Sequence, residues 1–173
     1  MSKISAIILV KNAENLIADC LDSVSFCDEI IVIDDASTDR TPAIAERLGA
    51  KVYSQTTSSF AEKRNFGLKK AKNKWVLYID VDERVSPELK ETILAAVESK
   101  EQYSAYRILR KNFYFGRHEW PTIEKLERLF KKASLKEWHG EVHETAVVDG
   151  DIGELEGFLL HYTHQDITSM VAK

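Results

Sequence analysis

Three short apolar runs constrain this chain most: Ile4–Val10, Ile30–Ile33 and Trp75–Ile79. Each has the length of a strand, and none alternates cleanly between apolar and polar residues. Strands of that kind belong inside a parallel sheet with both faces covered. The segments between them supply the covers. Leu16, Ile17, Cys20, Leu21 and Val24 fall on one side of a helix that Asn12 is placed to cap. Thr41-Pro42 opens a second helix, with Thr41 as the cap, and Gly49 stops it. A short strand is expected around Val52-Tyr53. Phe60–Lys72 reads as a helix in spite of Gly67, and Ser86-Pro87 caps another that carries Leu89, Ile93, Leu94 and Val97. The alternation predicts an α/β fold, a mostly parallel central sheet with helices on both faces. After Lys100 the texture changes: Ala105–Leu109, Glu127–Phe130, Val142–Val148 and Phe158–His161 read as strands without a clear helix between them.

Composition narrows the functional classes. The chain has 173 residues, with 24 Lys+Arg against 28 Asp+Glu and a formal net charge of −4. A nucleic-acid binder would ordinarily be basic, so no nucleic-acid partner is expected. The longest wholly apolar runs, such as Ala6–Val10, fall far short of the roughly 20 residues that span a bilayer. Met1-Ser2-Lys3 leads straight into a strand without a signal-peptide pattern, and the two cysteines, Cys20 and Cys27, form no disulfide framework. A reduced, cytoplasmic chain is the expectation. With no linker or repeat, residues 1–173 read as one domain in two halves, divided near residue 100. Ile167–Lys173 begins a helical pattern that stops after about two turns, so the natural polypeptide, or the wider family, is expected to continue further.

Two of the strands end in acid. Ile30–Ile33 runs into Asp34-Asp35, and Trp75–Ile79 runs into Asp80-Val81-Asp82-Glu83. In an open parallel sheet, ligands bind beyond the carboxyl ends of the strands. One aspartate at a strand end is ordinarily a turn or cap residue, and Asp39 is read that way. Two acidic strand ends delivered to one edge would repel each other unless a cation offset them. Mg²⁺ or Mn²⁺ carrying substrate phosphates would do so. The expectation is that Asp34/Asp35 and Asp80/Asp82 meet around one such ion.

The run from Ile30 to Asp39 resembles the nucleotide-contacting strand end of family 2 glycosyltransferases. Phe60-Ala61-Glu62-Lys63-Arg64-Asn65-Phe66-Gly67 is similar to that family's arginine-asparagine-x-glycine helix, and Asp80-Val81-Asp82 stands where the family keeps its DXD signature. Residues 107–144 resemble more narrowly the lipopolysaccharide-core β-glucosyltransferase branch. The resemblance implies the GT-A fold, with a nucleotide-sugar-binding first half and an acceptor-binding second half. It also implies inverting transfer of a hexose from a nucleotide-diphosphate sugar, UDP-linked, to a saccharide or glycolipid acceptor.

Residue roles follow from the resemblance. Asp35, helped by Asp34, would accept hydrogen bonds from the base or ribose; Asn12 would touch the base or simply cap its helix. Arg64 would reach the diphosphate, and Asp80 would hold sugar or ribose hydroxyls. Asp82 would bind Mn²⁺ or Mg²⁺, which would act as a Lewis acid on the leaving phosphate. His161, of the His161/His164 pair, would be a second metal ligand or a structural residue. Glu144 would be the general base, with Glu141 the alternative and His143 an orienting or packing residue. Most of Lys63, Lys69, Lys70, Lys72 and Lys74 read as surface charge, open to peripheral contact with an anionic inner membrane or lipid acceptor. Tyr103, Tyr106, Phe113, Tyr114, Phe115 and Trp120 would stack on sugar or pack as core and lip. Two other readings remain: a non-catalytic nucleotide-sugar-binding module on a GT-A core, and a phosphoacceptor receiver domain. The receiver is disfavoured because Lys11-Asn12 stands where receivers keep an acidic pair.

Overall fold

The computed structural model describes residues 3–100, 103–115, 118–140 and 144–163. Strand β1 (Ile4–Val10) is buried along its whole length and lies at the heart of the sheet. It pairs in parallel with β2 (Glu29–Asp34) on one side and β4 (Trp75–Asp80) on the other, and β3 (Lys51–Ser54) extends the parallel set beyond β2. Among the described residues four helices follow the alternation: α1 (Ile17–Ser23), α2 (Thr41–Arg47), α3 (Phe60–Lys70) and α4 (Pro87–Glu98). The second half supplies β5 (Glu83–Val85), β6 (Ala105–Tyr114), β7 (His118–Glu119), β8 (Glu124–Lys131), β9 (Leu135–His139), β10 (Thr145–Val148) and β11 (Ile152–Thr163). The main sheet runs β3-β2-β1-β4-β8-β6-β11-β5, with β7 on the edge of β6 and a separate β9–β10 hairpin. The β4–β8, β8–β6 and β11–β5 pairings are antiparallel, so the second half makes the sheet mixed.

Both faces are covered, as continuous apolar strands require. On one face Ile4, Ala6 and Ile8 pack with residues of α1, α2 and α4; on the other Ile7, Ile33 and Tyr78 pack with α3 and Trp138 of the hairpin. Gly67 sits in the middle of α3 because that helix lies directly on β1: a Cβ there would come within 2.6 Å of Ile7 Cγ2. Gly67→Ala is therefore expected to destabilise the fold by about 1 kcal/mol. Overpacking against a buried β-branched residue costs roughly 1–3 kcal/mol, more than the helix propensity gained. Urea denaturation measures it, and an unchanged or raised midpoint would show that Ile7 can move aside.

Helix starts partly depart from expectation. Ser86 caps α4 as read, accepting from Leu89 N–H. Asn12 does not cap α1, whose N-cap is Leu16 without a side-chain bond. Instead Asn12 takes a left-handed backbone (φ 48°) and its Oδ1 accepts from Thr38 N–H at 2.8 Å. Thr41 lies inside α2 rather than before it. Asp39 takes the capping work, accepting from Thr41 N–H at 2.9 Å, while Thr41 Oγ1 accepts from Ala13 N–H and ties the two loops together. Aspartate and asparagine side chains compete for nearby N–H groups, and here the nearest donors lie across the loop.

Candidate active site

The carboxyl ends of β1, β2 and β4 form one edge, and α3 runs beside it. Ser59 caps α3, accepting from Glu62 N–H, so Lys63 and Arg64 leave the first turn and turn inward. Both are buried, at 4% and 5% exposure. For Lys63 this corrects the surface reading. Its Nζ donates to Asp35 Oδ2 at 2.8 Å, and Lys11 approaches the same oxygen at 3.4 Å. That bond to Lys63, against the cost of burial, holds the Asp35 carboxyl below its usual range. Beside it Asp34 Oδ2 accepts from Ser37 N–H, whereas its buried Oδ1 has no hydrogen-bond partner.

Arg64 is the hinge of the site. Its Nη2 donates to Asp80 Oδ1 at 3.0 Å and its Nε donates to Glu144 Oε1, 80 positions along the chain, at 2.8 Å. The guanidinium lies 4.9 Å from the centroid of the Trp138 ring. Asn65, the next residue, exchanges two hydrogen bonds with the Trp138 backbone and so fixes the hairpin against α3. Arg64 Nη1 is buried without a hydrogen-bond partner.

Both oxygens of Asp80 are engaged by arginines. Its second oxygen accepts from Arg128 Nη2 at 2.8 Å, and the same nitrogen donates to Glu83 Oε1 at 2.8 Å. Burial pushes the Asp80 carboxyl up, but the charges of Arg128 and Arg64 outweigh it and hold the group well below the usual carboxylate range. Glu83 is fully buried; it accepts from Asp80 N–H and from Arg110 Nη1. Arg110 reaches Glu124 through Nε and Nη2, and Asn112 Nδ2 donates to Glu124 at 2.7 Å. Asn112 Oδ1 lies 2.7 Å from His161 Nδ1, and His161 Nε2 lies 3.2 Å from Asp82 Oδ2. One chain of contacts thus runs from Glu144 to Asp82.

Topology explains how His161 arrives there. β11 lies between β5 and β6, with His161 opposite Glu83 on one side and Asn112 on the other. Tyr162 N–H also donates to Asp82 O at 2.9 Å. At the two acidic strand ends Asp35 is engaged by Lys63 and Lys11, and Asp82 meets His161. Among the described residues no three His, Cys, Asp or Glu side chains gather as a metal cage. The Asp82–His161 pair nevertheless fits a divalent cation. With Nδ1 facing the Asn112 Oδ1 at 2.7 Å and Nε2 facing the Asp82 carboxylate at 3.2 Å, a neutral ring protonated on Nδ1 would present its Nε2 lone pair beside that carboxylate, a donor set a cation between them could use. The linked chain also contains five carboxylates (Glu144, Asp80, Glu83, Glu124 and Asp82) against three guanidiniums.

Among the described residues, clefts open on this chain of contacts. One of about 530 Å³ is lined by Arg64, Asp80, Arg128, Trp138 and Glu144 among others. A smaller one of about 280 Å³ is lined by Asn112, Tyr114, Trp120, Glu124 and His161 among others. Arg110 and Glu124 wall both. Glu141, His143, His164 and the Ile167–Lys173 pattern lie outside the described residues. Arg128, Glu83, Arg110 and Glu124 escaped the sequence reading. The available signal was an arginine set against Leu129 and Phe130 in a strand, where charge is costly unless paired.

A lipopolysaccharide core biosynthesis glycosyltransferase of Rhizobium meliloti, LpsC, is 25% identical over 169 residues, covering 92% of this chain and 63% of its own. An uncharacterized glycosyltransferase of Rickettsia typhi is 35% identical over 188 residues, covering 100% of this chain and 64% of its own. The chain therefore spans about two thirds or less of the length of these relatives. The crystal structure of S. aureus TarS 1–349 in complex with UDP-GlcNAc superposes with a TM-score of 0.74 at 20% identity, over 99% of this chain and 61% of that one. Glucosyl-3-phosphoglycerate synthase from Mycobacterium tuberculosis, crystallised with Mn²⁺, UDP and glucosyl-3-phosphoglycerate, superposes at 0.51 with 27% identity, over 65% of this chain and 44% of that one. The fold is that of the GT-A glycosyltransferases. A family model for glycosyl transferase family 2 matches residues 5–148, and the chain belongs to that family.

Proposed function

We propose that this chain carries the donor and acceptor sites of an inverting hexosyltransferase. It uses a UDP-linked sugar and a saccharide or lipid-linked acceptor, in cell-envelope glycan or lipopolysaccharide synthesis on the cytoplasmic side. The observation that carries this reading is Arg64, which joins the Asp80 strand end to Glu144 at the mouth of the larger cleft. Among the described residues no helix is long and apolar enough to cross a membrane, and contact with the bilayer would be peripheral.

The buried polar atoms without partners suit a nucleotide diphosphate. Arg64 Nη1 is a donor for phosphate oxygen, and Asp34 Oδ1 is an acceptor for a base or ribose group. Asp35, held ionised by Lys63, and Asn12 border the same edge. Glu144 would act as general base, with Oε1 held by Arg64 Nε and the other oxygen outside that bond to take the acceptor proton. The acceptor hydroxyl then attacks the anomeric carbon as the bond to the diphosphate breaks, and inversion follows from the single displacement. Trp120, which is exposed beside Tyr114, gives the smaller cleft an aromatic wall on which a sugar ring can stack. Asp82 and His161 would hold Mn²⁺ or Mg²⁺, which when bound neutralises charge on the leaving diphosphate.

Calorimetry of UDP with and without Mn²⁺ tests the donor site. Wild type is expected to bind in a metal-dependent way, and Asp82→Ala to weaken that binding by at least about tenfold. Equal binding by both proteins would remove Asp82 from the metal site. UDP binding without any sugar transfer or donor hydrolysis would make the chain a binding module instead.

A further inference from the structure

His161 stands between two acceptors. Asn112 Oδ1 faces its Nδ1 at 2.7 Å, and Asp82 Oδ2 faces its Nε2 at 3.2 Å. The orientation of the Asn112 amide is set from its other side, because Nδ2 donates to Glu124 Oε2 at 2.7 Å. Turning the amide over would aim its carbonyl at that carboxylate and its NH₂ group at the imidazole. Asn112 is buried and lies opposite His161 in the β6–β11 register.

We propose that Asn112 is a positioning residue: it accepts the Nδ1 proton of His161 and so leaves the Nε2 lone pair, with Asp82, to bind a divalent cation. The inference rests on reading Asp82 and His161 as the metal pair. Without the Asn112 carbonyl, a neutral His161 carries its proton on Nε2 and donates it to Asp82, and the two ligands close on each other. Histidines that bind metal depend on such a partner at the remote nitrogen, and losing it costs about 10–100-fold in affinity.

The test uses Mn²⁺ alone, with the free ion followed by electron paramagnetic resonance during titration of wild type, Asn112→Leu and Asp82→Asn. Asn112→Leu is expected to weaken Mn²⁺ binding about 10–100-fold. Affinity within about threefold of wild type would overturn the role of Asn112. Should Asp82→Asn also leave Mn²⁺ binding unchanged, the metal pair itself is wrong, so the two failures are distinguishable. A second measurement needs no variant to fold. In wild type loaded with Mg²⁺ and UDP, long-range ¹H–¹⁵N correlation spectra are expected to show His161 protonated on Nδ1 alone. A proton on Nε2 in that complex overturns the proposal.

Discussion

Glu144→Gln is expected to lower acceptor-dependent transfer by about 10²–10⁴-fold, the usual contribution of a positioned general base. UDP affinity is expected to stay within about threefold of wild type. The substitution isolates basicity from placement. A glutamine Oε1 can still accept from Arg64 Nε, as Glu144 Oε1 does at 2.8 Å, so the guanidinium keeps a partner and the hairpin keeps its tether. What disappears is the ability to take a proton from the acceptor hydroxyl. UDP release from UDP-glucose, with and without a core-oligosaccharide acceptor, separates transfer from leakage to water. Unchanged acceptor-dependent release would discard Glu144 as the base. An equal loss of UDP binding would assign it instead to holding Arg64.

Arg128→Leu carries the largest expected cost in stability, about 3–5 kcal/mol. One nitrogen of Arg128 serves both Asp80 Oδ2 and Glu83 Oε1 at 2.8 Å, and the Glu83 side chain is fully buried. A leucine fills much of the volume but leaves Glu83 a buried charge with one guanidinium partner in place of two. Breaking such a pair from one side costs far more than the pair contributes, because the remaining charge has lost its water as well as its partner. Guanidinium denaturation at neutral pH measures the loss. A loss of that size is a large fraction of the 5–15 kcal/mol of a typical domain. Arg107→Leu is the control: its ion pair with Glu127 is partly exposed, and solvent screening limits its expected cost to about 0–1 kcal/mol. A similar small effect for both variants would show that the buried ladder relaxes or hydrates when opened.

Much of the first half was legible in the chain itself. The continuous apolar runs required a sheet covered on both faces, and β1, β2 and β4 lie where those runs stand. Asp39 was readable as a cap residue because its partner Thr41 is two positions away. That the acidic ends of β2 and β4 share one edge was also legible, since parallel neighbours on either side of β1 necessarily deliver both to one side. The second half was legible as strands but not as an arrangement. Nothing local shows that β11 slips between β5 and β6, or that β8 pairs with β4.

The division has a physical origin. Hydrophobic period, turn residues and strand-end charges act over a few positions, so the order of residues alone determined the parallel core, the helices and the acidic rim. Which charges neutralise one another was decided only when distant segments were buried together. Arg64 meets Glu144 across 80 positions, Arg128 meets Asp80 across 48, and His161 meets Asn112 across 49. Removal from water makes an unpaired charge so costly that burial selects the partner, and burial is a property of the assembled sheet rather than of any stretch of sequence.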